Sequence, residues 1–349
     1  MSLIALFAAA ASATAQGTPA GELNHSILAP LARHSLLLDG AAVDGFMAVV
    51  GERGHVLLND DEGPGWRQVR VPTTATLTGV FFSDRKHGWA VGHDAVILRT
   101  ADGGASWERA HFAPEEERPL LDVWFRDARH GYAVGAYSYF LQTSDGGLSW
   151  RERSFEAQPW PAAGEGAPGD DPEGSTADQS GYDLDTGIDA HLNDIAAGRE
   201  GRLYIAAEAG RIYRSDDGGD SWWSMPSPYE GSLFGVLPLD EESLLVFGLR
   251  GHLYRSDDGG MSWRVIESST QAMLTDGMRL GRGTVVLTGL AGTLLVSRND
   301  AQSFDLVQLA DRRGIATALA KDADTLWLIG ESGLQEFTLP DERPAGDGR

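Results

Sequence analysis

The chain has 349 residues, carries 51 acidic against 28 basic side chains for a formal net charge of −23, and contains no cysteine. So large an acidic excess argues against nucleic acid or anionic lipid as a partner. The lack of thiols excludes a disulfide framework, a thiolate metal site and a cysteine nucleophile.

In chain order, Leu3-Ile4-Ala5-Leu6-Phe7 runs into an alanine stretch ending in Ala13-Thr14-Ala15, before Gln16. An apolar run that closes on small residues reads as a signal peptide over 1–15 and predicts export to the periplasm. No other apolar run approaches the length of a membrane span. The protein is therefore expected to act as a soluble body without a span of its own after cleavage.

Beyond this segment the chain repeats itself. The pattern Ser/Thr-x-Asp-x-Gly-x-Ser-Trp occurs four times, with Asp102, Gly104 and Trp107, with Asp145, Gly147 and Trp150, with Asp217, Gly219 and Trp222, and with Asp258, Gly260 and Trp263. Trp107 to Trp150 is 43 residues, Trp222 to Trp263 is 41, and Trp150 to Trp222 is 72. The last interval is one period plus about 30 inserted residues. Projecting the period outward finds Trp66 behind Asn59-Asp60-Asp61-Glu62-Gly63 and Phe304 behind Ser297-Arg298-Asn299. A half-repeat from Ile315 to Leu339 makes seven units.

Each unit has the same grammar. In the second, Leu77–Phe82, Gly88–Gly92, Ala95–Thr100 and Ser106–Arg109 are short runs rich in Val, Phe, Ile and Trp, split by Gly/Asp turns. Four such runs read as an antiparallel meander. Units of about 40 residues repeated radially form a β-propeller. The predicted fold is all-β: seven four-stranded antiparallel blades over about 36–72, 77–112, 120–155, 191–228, 232–268, 272–309 and 315–340. These lie in one domain over 16–340, followed by a disordered tail, 341–349. Strands are lettered A to D from the axis outward. The seventh unit lacks strand D, and the apolar stretch Ile27–Leu31 is expected to supply it, closing the ring and removing a free sheet edge.

The repeated turn reads as structure. Its Asp accepts backbone N–H groups across a tight turn, its glycines take positive φ, and its Trp buries a large apolar face between blades. No catalytic residue is assigned to it.

Between blades three and four, residues 156–190 form an insertion rich in Gly, Pro and Asp that reads as a mobile loop. It leaves on the face that carries the B–C turns, opposite the Asp turns. That places Trp160 and Tyr182 beside Arg53, His55, His93, Asp94, Tyr137, Tyr139, Arg250 and His252. This mixed aromatic and charged rim is the candidate binding face, because function concentrates on such loops. Within the insertion, Asp183, Asp185 and Asp189 flank Gly187 with the alternation of a calcium loop, but the terminal bidentate Glu is missing. No metal or other cofactor is expected. His87 and His130 occupy equivalent A–B turns, which points to repeat structure.

The Asp turn resembles the Asp-box, or BNR repeat, of sialidases and related propellers. The fuller signature, His87-Gly88-Trp89-Ala90-Val91-Gly92 through Trp107 and again His130 through Trp150, is similar to the photosystem II assembly and stability factor family. That resemblance implies a non-enzymatic lumenal or periplasmic propeller, monomeric within a hetero-complex, that holds a membrane protein or membrane complex during assembly. An accessory subunit of a membrane transporter or secretion complex fits the same features. A sialidase-like hydrolase fits less well. Its chemistry needs an arginine cluster and a Tyr/Glu pair near the axis. Arg70-Val71-Pro72 follows Trp66 on an outermost strand, and no Tyr/Glu pair is evident.

Overall fold

Seven antiparallel sheets stand side by side around an axis, one from each repeat. The computed structural model describes residues 24–60, 65–161, 189–281 and 283–340. Residues 1–15, read above as a signal peptide, the tail 341–349 and most of the insertion lie outside them. Blades one to six have four sequential strands, as in Leu77–Phe82, Gly88–Gly92, Ile97–Thr100 and Glu108–His111, and the expected seven-bladed propeller is what forms. Among the described residues no helix is long and apolar enough to cross a membrane.

Strand B of blades two to six is buried throughout, because both of its faces meet a neighbouring blade. Gly88–Gly92, Gly131–Gly135, Leu203–Ala207, Leu244–Gly248 and Val285–Gly289 are buried at every position. The core is accordingly divided into seven clusters, one per blade interface. The repeat aromatics fill them: Trp107 lies edge-on to Phe82, Trp150 to Phe125 and Trp222 to Phe140. The tightest contact is Trp89 stacked on Phe125, with ring centroids 3.5 Å apart.

The Asp turns both lock themselves and join neighbours. In blade three the Thr143 hydroxyl donates to Asp145 (2.8 Å), and Asp145 accepts from the backbone N–H (3.0 Å) and the hydroxyl (2.6 Å) of Ser149. The Ser149 hydroxyl and amide hold the Asp145 carboxylate at a pKa of about 2. Gly146 and Gly147 take φ of 77° and 79°, as the turn requires. From the preceding blade, Trp89 Nε1 (3.0 Å) and Arg99 Nε (2.8 Å) donate to the Gly146 carbonyl. Tyr132 repeats this contact on the Gly218 carbonyl at 2.9 Å, and Arg214 repeats it on the Gly259 carbonyl at 3.1 Å. Asn299 substitutes for the Asp in blade six, still accepting from the Ser297 hydroxyl and the Ser303 N–H but donating its amide to the Ser303 hydroxyl.

The ring closes differently from the sequence expectation. The seventh sheet has three strands, Ile315–Ala320, Thr325–Gly330 and Gly333–Thr338, and Ile27–Leu31 forms no strand beside them. Its backbone is engaged by blade one instead. Ser26 exchanges two bonds with Val71, and the Gln68 amide bonds Ile27 and Ala29. Pro30 interrupts the segment and has no N–H to offer a sheet edge. Ile27, Leu28 and Leu31 are left exposed, while Ala29 and Ala32 pack with Leu319, Ile329 and Leu334 across the seam. Trp66 of blade one meets Trp327 of blade seven edge-on at 5.7 Å. Side-chain packing closes the ring.

The insertion also begins as structure rather than as a loop. Phe155 wedges among Phe140, Tyr213 and Trp222, and Ala157–Pro159 then adds a fifth strand, parallel to Trp222–Ser224, on the outer edge of blade four.

Two substitutions test this energetics by chemical denaturation. Trp89→Ala, which removes a side chain only 1% exposed, should cost about 3–5 kcal/mol of stability. Asp145→Ala should cost about 1 kcal/mol or somewhat more through lost turn hydrogen bonds.

Candidate functional site

The B–C turns share one geometry. In blades one to six the middle residue lies in the left-handed region, Arg53 (φ 56°), Asp94 (60°), Tyr137 (55°), Ala209 (56°), Arg250 (57°) and Ala291 (56°), and all of these but the Tyr137 turn are short 3-10 turns. The turn recurs because strand B ends where the next residue's backbone abuts the start of strand A. At Gly92, for example, an added Cβ would stand 2.1 Å from the Thr76 carbonyl. Each middle side chain therefore projects from a stiff backbone at the mouth. Tyr137 is 53% exposed and meets the His191 ring edge-on, and Leu290 beside Ala291 is 40% exposed.

Of the rim residues read from the sequence, the structure keeps Arg53, His93, Asp94, Tyr137 and Arg250 exposed on this face. His252 is half-buried, stacked beside Tyr229 (4.1 Å) and Tyr254 (6.0 Å). Two residues are removed from the surface. His55 is 4% exposed and bonded to Gln68, and burial lowers its pKa, which keeps the ring neutral. Tyr139 is 2% exposed under the Arg118 guanidinium, and burial pushes its phenol up to about 12. Each immediately precedes a strand C, Val56–Asn59 or Phe140–Thr143, and is turned inward there. Trp160 is held on the outer edge of blade four against Trp223 and Arg214, close to an Asp turn and away from the mouth. Tyr182, Asp183 and Asp185 lie outside the described residues, and Asp189 is exposed. Among the described residues no group of three or more His, Asp or Glu is arranged to hold a metal ion.

The structure adds a feature that the repeat reading missed. All seven innermost strands carry a bulge one residue in, at Leu38, Thr78, Leu121, Asn193, Phe234, Thr275 and Ala316. The next residue is Asp in four blades: Asp39, Asp122, Asp194 and Asp276. Each reaches forward to the following blade. Asp39 accepts the Val80 N–H (2.7 Å), Asp122 the Ile195 N–H (2.9 Å), Asp194 the Val236 N–H (2.7 Å), and Asp276 the Thr317 hydroxyl. Bulge side chains add bonds of the same sense, Thr78 to Leu120 O, Asn193 to Leu233 O and Thr275 to Ile315 O, each 2.7 Å. The signal was present as Leu-x-Asp opening four repeats.

These carboxyls sit just inside the mouth, with no cation on the inner strands except exposed Arg279. Burial raises all four pKa values, that of Asp276 to about 6, and mutual repulsion adds to the rise at Asp39 and Asp194. After burial, the neighbouring Asp122 carboxyl is the largest cause that raises the Asp194 pKa.

Each of these groups binds its proton more tightly in the fold than in the unfolded chain. Their stabilisation is full below the ordinary carboxyl range and is lost as pH rises through the folded values. Thermal melts should therefore move up by a few degrees between about pH 7.5 and pH 5. Asp194→Asn, which mimics the protonated side chain, should raise stability at the upper pH and flatten that slope. The Asp turns act oppositely: Asp145 contributes above the ordinary range and loses its contribution as pH falls towards about 2.

Comparison with known proteins bears on the blades beside this mouth. The family model described as "Photosynthesis system II assembly factor YCF48" matches residues 58–120 and 114–160. The photosystem II assembly protein Ycf48 of Thermosynechococcus vestitus is 49% identical over 43 residues, 12% of this chain and 12% of that protein. The chloroplastic photosystem II stability/assembly factor HCF136 of Cyanidioschyzon merolae is 40% identical over 62 residues, 17% and 14% of the two chains. An assembly lipoprotein Ycf48 of Synechococcus sp. (strain CC9902) is 26% identical over 159 residues, 45% and 39% of the two. The chain thus matches well under two thirds of the length of these relatives. A solved structure titled "YCF48 bound to D1 peptide" superposes with a TM-score of 0.64 at 16% identity, covering 93% of this chain and 99% of that one. The WD40 propeller of Doa1 reaches the same TM-score, 0.64, at 13% identity, covering 88% and 94%. Overall shape therefore reports the fold, and the family signal comes from the repeats of blades two and three. On that signal the chain is a β-propeller whose second and third blades are similar to those of the photosystem II assembly factors.

Proposed function

We propose that this chain is a non-enzymatic, exported assembly or scaffold factor whose mouth holds an extended segment of a membrane protein. The observation that carries the reading is the family match across residues 58–160, which contain two of the blades that build the mouth. The geometry supports it. Six left-handed turns hold Arg53, Asp94, Tyr137 and Arg250 on rigid backbone around an opening, so little side-chain and loop ordering is needed to bind. Arg53 and Arg250 offer donors to a partner's carboxylates or carbonyls, and Tyr137 with His191 offers an aromatic platform. The structural neighbour was solved with a peptide of D1, and a peptide segment is the occupant proposed for this mouth. Some of the relatives are named lipoproteins, which supports export of this chain.

Photo-crosslinking from two exposed positions on opposite faces tests the proposal. A benzophenone amino acid at Tyr137, on the mouth, should give crosslinks to a membrane-embedded protein in the full chain expressed with its own membranes. The same group at Leu148, on an Asp turn of the other face, should give none. Crosslinks only from Leu148, or only to soluble proteins, would refute the assignment. Tyr137→Ala combined with Arg250→Ala should lower recovery of the same partner about tenfold, as loss of two central contacts does.

A further inference from the structure

On the outer edge of blade four, far from the mouth, lies an open groove of about 610 Å³ lined by Trp160, Glu200, Arg202, Arg214, Asp216, Asp217, Ser221 and Trp223. It exists because the fifth strand, Ala157–Pro159, brings Trp160 alongside the blade. The two indoles meet at 5.7 Å with a 72° angle and form one wall. Their faces are half-buried rather than sealed into the core.

The polar groups of the groove are unequally spent. Arg214 donates to Asp216 Oδ1 (2.8 Å) and to the Gly259 carbonyl (3.1 Å) and lies 5.0 Å over the Trp160 ring. Arg202 donates to the same Oδ1 (3.0 Å) and to the Glu241 carbonyl (2.8 Å), with Glu242 beyond it at 3.4 Å. Both guanidinium groups are thereby neutralised and tied back. Asp217 is consumed by its own turn, accepting from Ser215 and Ser221. What remains is acceptor capacity. Every described bond to Asp216 falls on Oδ1, and Glu200 accepts no bond among the described residues. Glu200 stands exposed in a two-residue turn with φ of 58°, followed by Gly201 at 79°.

We infer that this groove binds a cationic side chain, arginine or lysine, of an extended basic peptide segment. The alkyl stem and charge would lie against Trp160 and Trp223, and the head group would meet Glu200 and the open edge of Asp216. Indole faces attract cations, and carboxylates with free lone pairs accept their hydrogens. The formal balance of the lining, three acids against two arginines, and the chain's net charge of −23 draw a basic segment toward it. This site does not rest on the mouth assignment, since it lies on a different part of the ring.

Fluorescence anisotropy of the full chain with a labelled octapeptide of alternating glycine and arginine tests the site. Binding should quench tryptophan emission, weaken at high salt, and fall about five- to tenfold in Glu200→Gln and again in Trp160→Ala. Tyr137→Ala with Arg250→Ala should leave it unchanged. Glu200→Gln alters one exposed side chain, so it reports on the site even if Trp160→Ala loosens the added strand. Three results would overturn the inference: no binding, binding that neither groove variant weakens (general attraction to an acidic surface), or binding of chitotetraose in place of the peptide.

Discussion

The ring depends above all on bonds made forward near the axis, from blades one, two, three, four and six to the blade that follows each. Inner strands of a propeller converge, so their backbones cannot pair laterally as ladders, and their polar groups must be satisfied by other means. A bulge in every inner strand gives the chain one unpaired residue at this point. It turns the following side chain toward the neighbouring blade. Aspartate suits that position because one carboxylate can accept the neighbour's amide while its second oxygen serves its own backbone, as at Asp122 and Val123. The Asp turns make the second set of forward contacts at the opposite end, through the Gly146, Gly218 and Gly259 carbonyls. Blades two, three and four are thus fastened twice to their successors, with an apolar cluster between the fastenings.

The two fastenings place opposite electrostatic demands on the same residue type. At the exposed turns, carboxylates gain donors and stay charged. At the axis, four carboxyls converge with no cation of their own, and burial outweighs the donors they gain. The axial groups nevertheless remain half-buried, and each keeps a donor from the following blade. Their position also gives the mouth its character, a rim with Arg53 and Arg250 above an acidic throat. A segment lying across the rim would meet cations first, and one threading inward would meet carboxyls.

Much of this was legible in the sequence, for a physical reason. Turn chemistry is local, so Asp145 to Trp150 announces its turn wherever it occurs, and the spacing of Trp107 and Trp150 gives the blade. Contacts between distant segments leave no such local mark. The exposure of His55 and Tyr139 was misread because a residue next to a surface turn can still point into the blade interface. Ile27–Leu31 was apolar enough to be a strand, but Gln68 and Pro30 directed it elsewhere. The axial aspartates were written four times as Leu-x-Asp. They went unread because single carboxylates look like surface residues until the ring gathers them.

The same reasoning explains why the irregular parts carry the functional assignments. A residue repeated in most blades is serving the ring, as Trp89 and Tyr132 do in reaching the next Asp turn. Residues that differ among equivalent positions are free of that duty. The middle of the B–C turn is Arg, Asp, Tyr, Ala, Arg and Ala around the mouth, although its backbone angle hardly changes. Conformation there is fixed by the fold and side-chain identity is not, which is the condition under which a surface can be shaped for a partner. Trp160 meets the same test. It belongs to a strand that no other blade possesses, and the groove it completes has no counterpart described around the ring.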